Sequence, residues 1–249
     1  EYVSTSAHNK YLERRKNSSH SSKYNEFLSN LISEKLHENW SPEQISNALL
    51  NGKLSFKTIY NWIYIGKLKG ISFKNLRHKG KRRKKETRGK FLIGNSITTR
   101  PKDVKSRKTF GHWELDTIVS SRGKSKACLA TFVERKTRFY VAIKIKDRTA
   151  PSMLKAIKKL VKVLPKKALK TFTTDRGKEF ACYKEVEKLN IKVYFADAYA
   201  AWQRGSNENS NGLLREYYPK KTDLGKISND DLIEKLILLN SRPRKCLNW

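Results

Sequence analysis

The sequence predicts an α/β domain, a mixed sheet with helices against its faces, preceded by a small all-helical region. Three observations carry that expectation. From about residue 107, strand-type apolar runs alternate with segments of helical periodicity. Residues 24–66 hold helical periodicity alone, punctuated by capping residues and glycines. Between the two lies a stretch almost without apolar residues and crowded with Lys and Arg.

In chain order, residues 1–23 are polar, rich in Ser, Asn, Lys and Arg, and are expected to form a flexible arm. Residues 24–76 open with Phe27, Leu28, Leu31, Ile32 and Leu36 at helical spacing. A second helix starts at Ser41-Pro42-Glu43-Gln44, with Ser41 as cap, Pro42 at the first helical position and Gln44 closing a capping box. Asn51-Gly52 stops it, Ser55 caps a third, and Ile59, Trp62 and Ile63 give that helix its buried face. Two short capped helices around a glycine turn match a helix-turn-helix. That motif would place Lys57, Thr58, Tyr60 and Asn61 in a DNA major groove. A plain helical hairpin fits the same pattern, and the charge of the chain favours DNA. Residues 77–106 read as a basic linker in which Lys81, Arg82, Arg83, Lys84 and Lys85 suit phosphate contacts.

Residues 107–249 form the expected α/β core. Strands are predicted over 112–120, 127–134 and 139–146, with short connections that favour antiparallel neighbours. A helix follows from Thr149 and Pro151 to Pro165, with Met153, Leu154, Ile157, Leu160, Val161 and Leu164 as its apolar stripe. A strand over 170–175, a helix over 179–189, a strand over 191–196 and a helix over 208–217 complete the order βββαβαβα. That order is ribonuclease-H-like, although other mixed α/β folds share it.

Composition narrows the function. Lys and Arg total 55 against 23 Asp and Glu, a formal net charge of +32 over 249 residues. Such a chain repels itself, and a polyanion is the natural partner. No apolar run approaches the ~20 residues that span a bilayer, and no secretory signal pattern is present, so no membrane association is expected. Cys128, Cys182 and Cys246 are far apart and lack metal-binding spacing, which fits a reducing cytosol.

Against this positive background, three acidic residues stand out. Asp116 lies inside the apolar run His112–Val119, Asp175 ends a strand-like run before Arg176-Gly177, and Glu208 precedes a helical stretch. A carboxylate in an apolar strand is costly unless compensated, and a divalent cation is the common compensation. In the fold expected here Asp116 and Asp175 would share a cleft that Glu208 reaches over. Three carboxylates can hold two Mg²⁺ or Mn²⁺ ions about 4 Å apart for in-line displacement at a phosphodiester. An ion pair or a helix cap is the structural alternative for each acid taken alone. Glu114, on the same strand face as Asp116, together with Glu179 and Asp197, reads as supporting. Trp113 reads as buried, whereas Trp202 could stack on bases beside Gln203 and Arg204. Arg215 is placed for a phosphate contact, with Gly212 allowing close approach to a strand.

These segments resemble the transposases of the insertion sequence 30 family. The likeness rests on Gly111–Asp116, Thr174–Phe180 and the block Trp202–Arg215, and also on Trp40–Ile45, Thr58–Tyr64 and Ser241–Leu247. It implies a DDE transposase with a ribonuclease-H-like catalytic core over 107–249. It further implies metal-dependent cleavage and transfer of double-stranded DNA, and an amino-terminal region that binds the element's inverted repeats. Asp116, Asp175 and Glu208 then take the three acidic roles. Synapsis of two element ends makes a homo-oligomer the expectation. Leu115 stands where the family usually has glycine, Arg176 where it has asparagine, and Ala198 and Ala201 where it has prolines. A further amino-terminal DNA-binding segment and a few closing residues of the family are expected to be missing. Arg176 is expected to compete with metal for Asp175, and the lost prolines to loosen the loop that positions Glu208. Two rival readings are a catalytically silent, decayed transposase that still binds DNA, and a nuclease that cuts without joining.

Overall fold

A computed structural model describes residues 4–17, 23–77, 94–121, 123–197 and 200–249. It divides into two compact units, Glu1–Gly80 and Lys81–Trp249.

In the first unit the polar segment expected as an arm contains a helix, α1 (Ser4–Asn17). None of its described side chains is buried, because the sequence offers it no apolar stripe. α2 (Glu26–His37) is capped by Asn25, which accepts from the Leu28 amide at 2.7 Å. Ile32 and Leu36 are buried as expected, but Phe27, assigned to the same stripe, is exposed. α3 (Pro42–Gln44) opens with the predicted Ser41–Gln44 capping box and runs into a π turn, Ile45–Leu49. Asn51 and Gly52 stop it in the left-handed region, at φ 48° and 75°. α4 (Phe56–Tyr64) is capped by Ser55 and buries Ile59, Trp62 and Ile63 against Ile32, Leu36, Ile45 and Leu68. On its outer side Lys57 and Asn61 are exposed, Thr58 is half-buried, and half-buried Tyr60 stacks on Tyr64.

The second unit is a six-stranded mixed sheet. Its strands are β1 (Asn95–Ser96), β2 (His112–Val119), β3 (Cys128–Glu134), β4 (Tyr140–Ile145), β5 (Thr171–Thr174) and β6 (Lys192–Phe195), in the spatial order β1-β6-β5-β2-β3-β4. β3 is antiparallel to β2 and β4, whereas β5 and β6 run parallel to β2. This is the ribonuclease-H-like arrangement.

Alternation along β3 shows how the two faces are covered. Cys128, Ala130 and Phe132 face one cluster together with Trp113 and Leu115 of β2, under α6 (Ala150–Val163) and α7 (Tyr183–Glu187). Leu129 and Val133 face the other, under α8 (Gly205–Tyr217) and α9 (Asn229–Asn240). By the same alternation Glu114 and Asp116 belong to the α8 side. Trp113 is fully buried, its indole N–H donating to the Ala168 carbonyl at 2.8 Å.

Three differences from the sequence reading concern other elements. Residues 78–93 of the predicted linker, Lys81, Arg82, Arg83, Lys84 and Lys85 included, lie outside the described residues. The remainder of that range is structured: β1 extends the sheet beside β6, and α5 (Lys102–Ser106) buries Val104. Arg100, between them, donates to the Thr173 hydroxyl at 3.0 Å. Elements of two and five residues are too short to carry a periodicity. The helix expected over 179–189 is a 3₁₀ segment, Lys178–Cys182, followed by the five-residue α7. α9 was not anticipated, although Ser228 caps it and Leu232 and Leu239 are buried along it. No helix among the described residues is long and apolar enough to cross a membrane.

Ser41→Ala removes one half of the capping box and leaves the Gln44 amide without its acceptor. The first unit should lose about 1 kcal/mol of stability, read as a lower denaturant midpoint with an unchanged slope.

Candidate active site

The register of β2 against β5 sets the geometry. Glu114 pairs with Thr173 across the parallel ladder. Two residues further along each strand come Asp116, still inside β2, and Asp175, just past the end of β5. Both are half-buried. One guanidinium joins them: Arg204 Nη1 lies 3.5 Å from Asp116 Oδ2, and Nη2 lies 3.1 Å from Asp175 Oδ2.

Neutral donors also hold these carboxylates. Asp116 accepts from the Thr117 amide at 2.8 Å and from Asn211 Nδ2 at 3.2 Å. Asp175 accepts from the Gly177 amide at 3.0 Å. Burial pushes the Asp116 carboxyl above the usual carboxylate range. Arg204 opposes that shift, Asp175 adds to it, the Thr117 amide opposes it, and Glu179 adds to it again. Gly177 is needed for its lack of a side chain and not for its backbone angle, since its φ is −68°. A Cβ there would meet Glu179 Oε2 at 2.5 Å and Asp175 Oδ1 at 3.0 Å.

α8 covers the pair with a polar stripe. Fully buried Asn207 donates its amide to Glu114 Oε2 at 2.9 Å and its side-chain N–H to the Glu114 carbonyl at 3.0 Å. It also accepts from the Thr131 hydroxyl at 3.3 Å. Glu114, fully buried itself, forms an ion pair with Arg135. Asn211, one turn on, is the α8 residue at Asp116. Glu208 lies between these two in the first turn of the helix and is exposed. Among the described residues no group of three His, Cys, Asp or Glu side chains is set to hold a metal ion. The structure therefore brings Asp116 and Asp175 together and leaves Glu208 on the open side of α8. The all-oxygen donors of the pair match a hard divalent cation, and the position between them already attracts a positive group.

Comparison with known proteins gives this geometry its family. Residues 106–201 match the integrase core domain. The chain is 39% identical over 227 residues to the transposase for insertion sequence element IS4351 of Bacteroides fragilis, covering 86% of this chain and 68% of that protein. It is 37% identical over 230 residues to the transposase for IS1086 of Cupriavidus metallidurans, covering 86% and 67%. With transposase InsI for IS30A of Escherichia coli it shares 35% identity over 241 residues, 89% of this chain. The chain belongs to the insertion sequence 30 family of transposases. It spans 62% of the length of the Escherichia coli relative. Among solved structures, the magnesium complex of the HTLV-2 integrase catalytic core domain aligns with 53% of this chain and 88% of that one, at 20% identity and a TM-score of 0.41.

Several residues of this family member sit differently from expectation. Arg176 lies over the Phe195 ring, 5.8 Å from its centroid, and the guanidinium paired with Asp175 is that of Arg204. Leu115, in the usual glycine position, packs in the sheet core. Ala201 begins a 3₁₀ turn, Ala201–Arg204, while Ala198 lies outside the described residues. Arg215, expected at a phosphate, is half-buried on α8. Its guanidinium donates to the Val119 carbonyl at 2.8 Å and to that of Tyr218 at 3.4 Å, tying α8 to the end of β2. Gln203 exchanges hydrogen bonds with Asp197, whereas Trp202 is 76% exposed. Glu179, fully buried, accepts from Arg148 at 2.6 Å and from Thr117 at 3.0 Å. Asn207, Asn211 and Arg135 escaped the sequence reading. The helical spacing of Arg204, Asn207 and Asn211 opposite a strand bearing Glu114 and Asp116 was their available signal.

Two outcomes follow from these contacts. Glu114→Ala strands the buried Arg135 charge and should cost about 3–5 kcal/mol in chemical denaturation. For Asp116 the folded pKa is raised, so its charged form costs stability at neutral pH, and that cost disappears once the unfolded carboxyl is also protonated. Asp116→Asn should therefore melt at a higher temperature than wild type at pH 7, with the gain vanishing below about pH 3.9. A lower melting temperature at pH 7 would mean that the Arg204 pairing outweighs burial.

Proposed function

We propose that this chain acts as a DNA transposase, cutting and joining double-stranded DNA at the inverted repeats of an insertion sequence and inserting it into target DNA. The observation that carries the proposal is the meeting of Asp116 and Asp175, from adjacent parallel strands, around a single cationic group. Membership of a transposase family supports the same reading.

In this proposal Asp116 and Asp175 hold Mg²⁺ or Mn²⁺, and Glu208 completes the ligand set from the exposed side of the turn fixed by Asn207. A bound pair of such ions supplies activation of a water or DNA 3′-hydroxyl and stabilisation of the leaving 3′ oxygen. The protein's own work is positional. Thr117 and Gly177 orient the two carboxylates through their amides, and Asn211 holds Asp116 from α8. Buried Glu114 and Arg135 anchor the helix that carries Glu208. Lys57, Thr58, Tyr60 and Asn61 on the outer side of α4 are assigned to the repeat sequence, and Lys81, Arg82, Arg83, Lys84 and Lys85 to phosphates. Trp202 is assigned to an unpaired base. Two element ends must be held at once, which calls for a homo-oligomer on DNA. A chromosomal substrate places the reaction in the bacterial cytosol.

The test is strand transfer in vitro on terminal-repeat DNA with Mg²⁺. Wild type should yield joined products. Asp116→Asn and Glu208→Gln should still retard the DNA in a gel while joining none of it. Joining by Asp116→Asn would refute the assignment, and a wild type that binds without cutting would be a silent DNA-binding protein.

A further inference from the structure

Arg204 fills the place that the proposed function gives to a cation. Each of its two terminal nitrogens bonds a different carboxylate, and Nη1 also reaches the Leu115 carbonyl at 3.5 Å. The fork is incomplete, because its buried Nε meets no hydrogen-bond partner among the described residues. An unpaired buried donor carries a desolvation cost, so the two charges are what hold the side chain inward. A divalent ion on the same carboxylates carries twice the charge, and Coulomb repulsion disfavours its sharing them with the guanidinium. Arg204 ends the short 3₁₀ turn that also carries exposed Trp202, and α8 starts at the next residue. Once released, a planar guanidinium at the rim of a DNA site finds in a phosphate the group that matches its fork.

We propose that Arg204 is an exchangeable counter-ion of the Asp116–Asp175 pair, displaced by divalent metal and taken up by a DNA phosphate, so that metal and DNA bind cooperatively through one side chain. The inference rests on the metal-site reading given above. It deepens the expected DNA contact of Arg204 by making that contact conditional on the metal. Thermodynamic linkage requires the coupling to be reciprocal: DNA must tighten metal binding by the factor by which metal tightens DNA binding.

The experiment is calorimetric titration of Mn²⁺ into wild type, Arg204→Gln and Asp116→Asn, each alone and with a precut terminal-repeat duplex. Arg204→Gln alone should bind Mn²⁺ about 5-fold or more tightly than wild type, and the duplex should raise Mn²⁺ affinity by a similar factor in wild type but not in the variant. Equal or weaker Mn²⁺ binding by Arg204→Gln, or full coupling to DNA in that variant, would overturn the proposal. Should circular dichroism show that Arg204→Gln does not fold, Arg204→Lys carries the same test. A single ammonium cannot reproduce the planar fork across both carboxylates, so its Mn²⁺ affinity must also exceed that of wild type. Asp116→Asn separates the two layers of argument. If it binds Mn²⁺ as wild type does, the metal-site reading fails. If it loses Mn²⁺ while Arg204→Gln matches wild type, only the role of Arg204 fails.

Discussion

Mutual repulsion of two carboxylates, one inside β2 and one just past the end of the parallel strand β5, is the constraint around which the second unit is arranged. β2 lies in the middle of the sheet with helices over both faces, so it cannot shift to move Asp116 away from Asp175. Relief must come from neighbouring donors and cations. Backbone amides at Thr117 and Gly177 supply part of it, Asn211 supplies more, and the only cation bridging both acids among the described contacts is Arg204. That Gly177 has no room for a Cβ shows how little slack the arrangement contains.

The docking of α8 answers the same constraint. A helix that must deliver Asn211 to Asp116 needs a fixed register against β2, and apolar packing alone tolerates sliding. Glu114 sets that register, because its carboxylate takes the Asn207 amide, its carbonyl takes the Asn207 side chain, and Arg135 neutralises its charge. A buried ion pair is weak evidence for stability, but it is a strict specifier of position, since any slip leaves a bare charge in the core. Arg215 ties the other end of the helix to Val119. Glu208, one residue from the buried anchor, thus gains a defined position although it faces solvent.

How much of this was legible in the sequence depends on how local each cause is. The capping box at Ser41, the Ser55 cap, the apolar face of α6 and the burial of Trp113 follow from neighbours within a turn or two, and they were readable. Asp116 and Asp175 were readable because a charge in a strand-like apolar run has few explanations. Arg204 was readable only as a basic residue beside a tryptophan, since its partners are 88 and 29 positions away, as counted from the residue numbers. Arg176 misled for the complementary reason. Adjacent to Asp175 in sequence, it leaves an extended strand end toward the ring of Phe195. Phe27, placed on the buried stripe of α2 by spacing, shows the same limit: periodicity assigns a stripe, and the tertiary neighbours decide how wide it is.

The site also explains why a chain of net charge +32 keeps a pair of acids partly out of water. In the proposed function its long-range field would draw DNA in, and a uniformly positive surface would bind the polyanion without discriminating a reacting phosphate from any other. Two carboxylates there would oppose that field locally, and in the proposed function a phosphate would approach them only together with cations. The raised pKa of Asp116 reflects what burial costs its charged carboxyl. Arg204 reduces the cost without abolishing it, since burial still outweighs its pull on the carboxyl. A lysine on a long flexible stem would neutralise one acid at a time, whereas the guanidinium fork spans both and keeps them aligned. Such a locally unfavourable charge, offset by packing elsewhere in the sheet, is expected where a sequence keeps a functional group against its own stability.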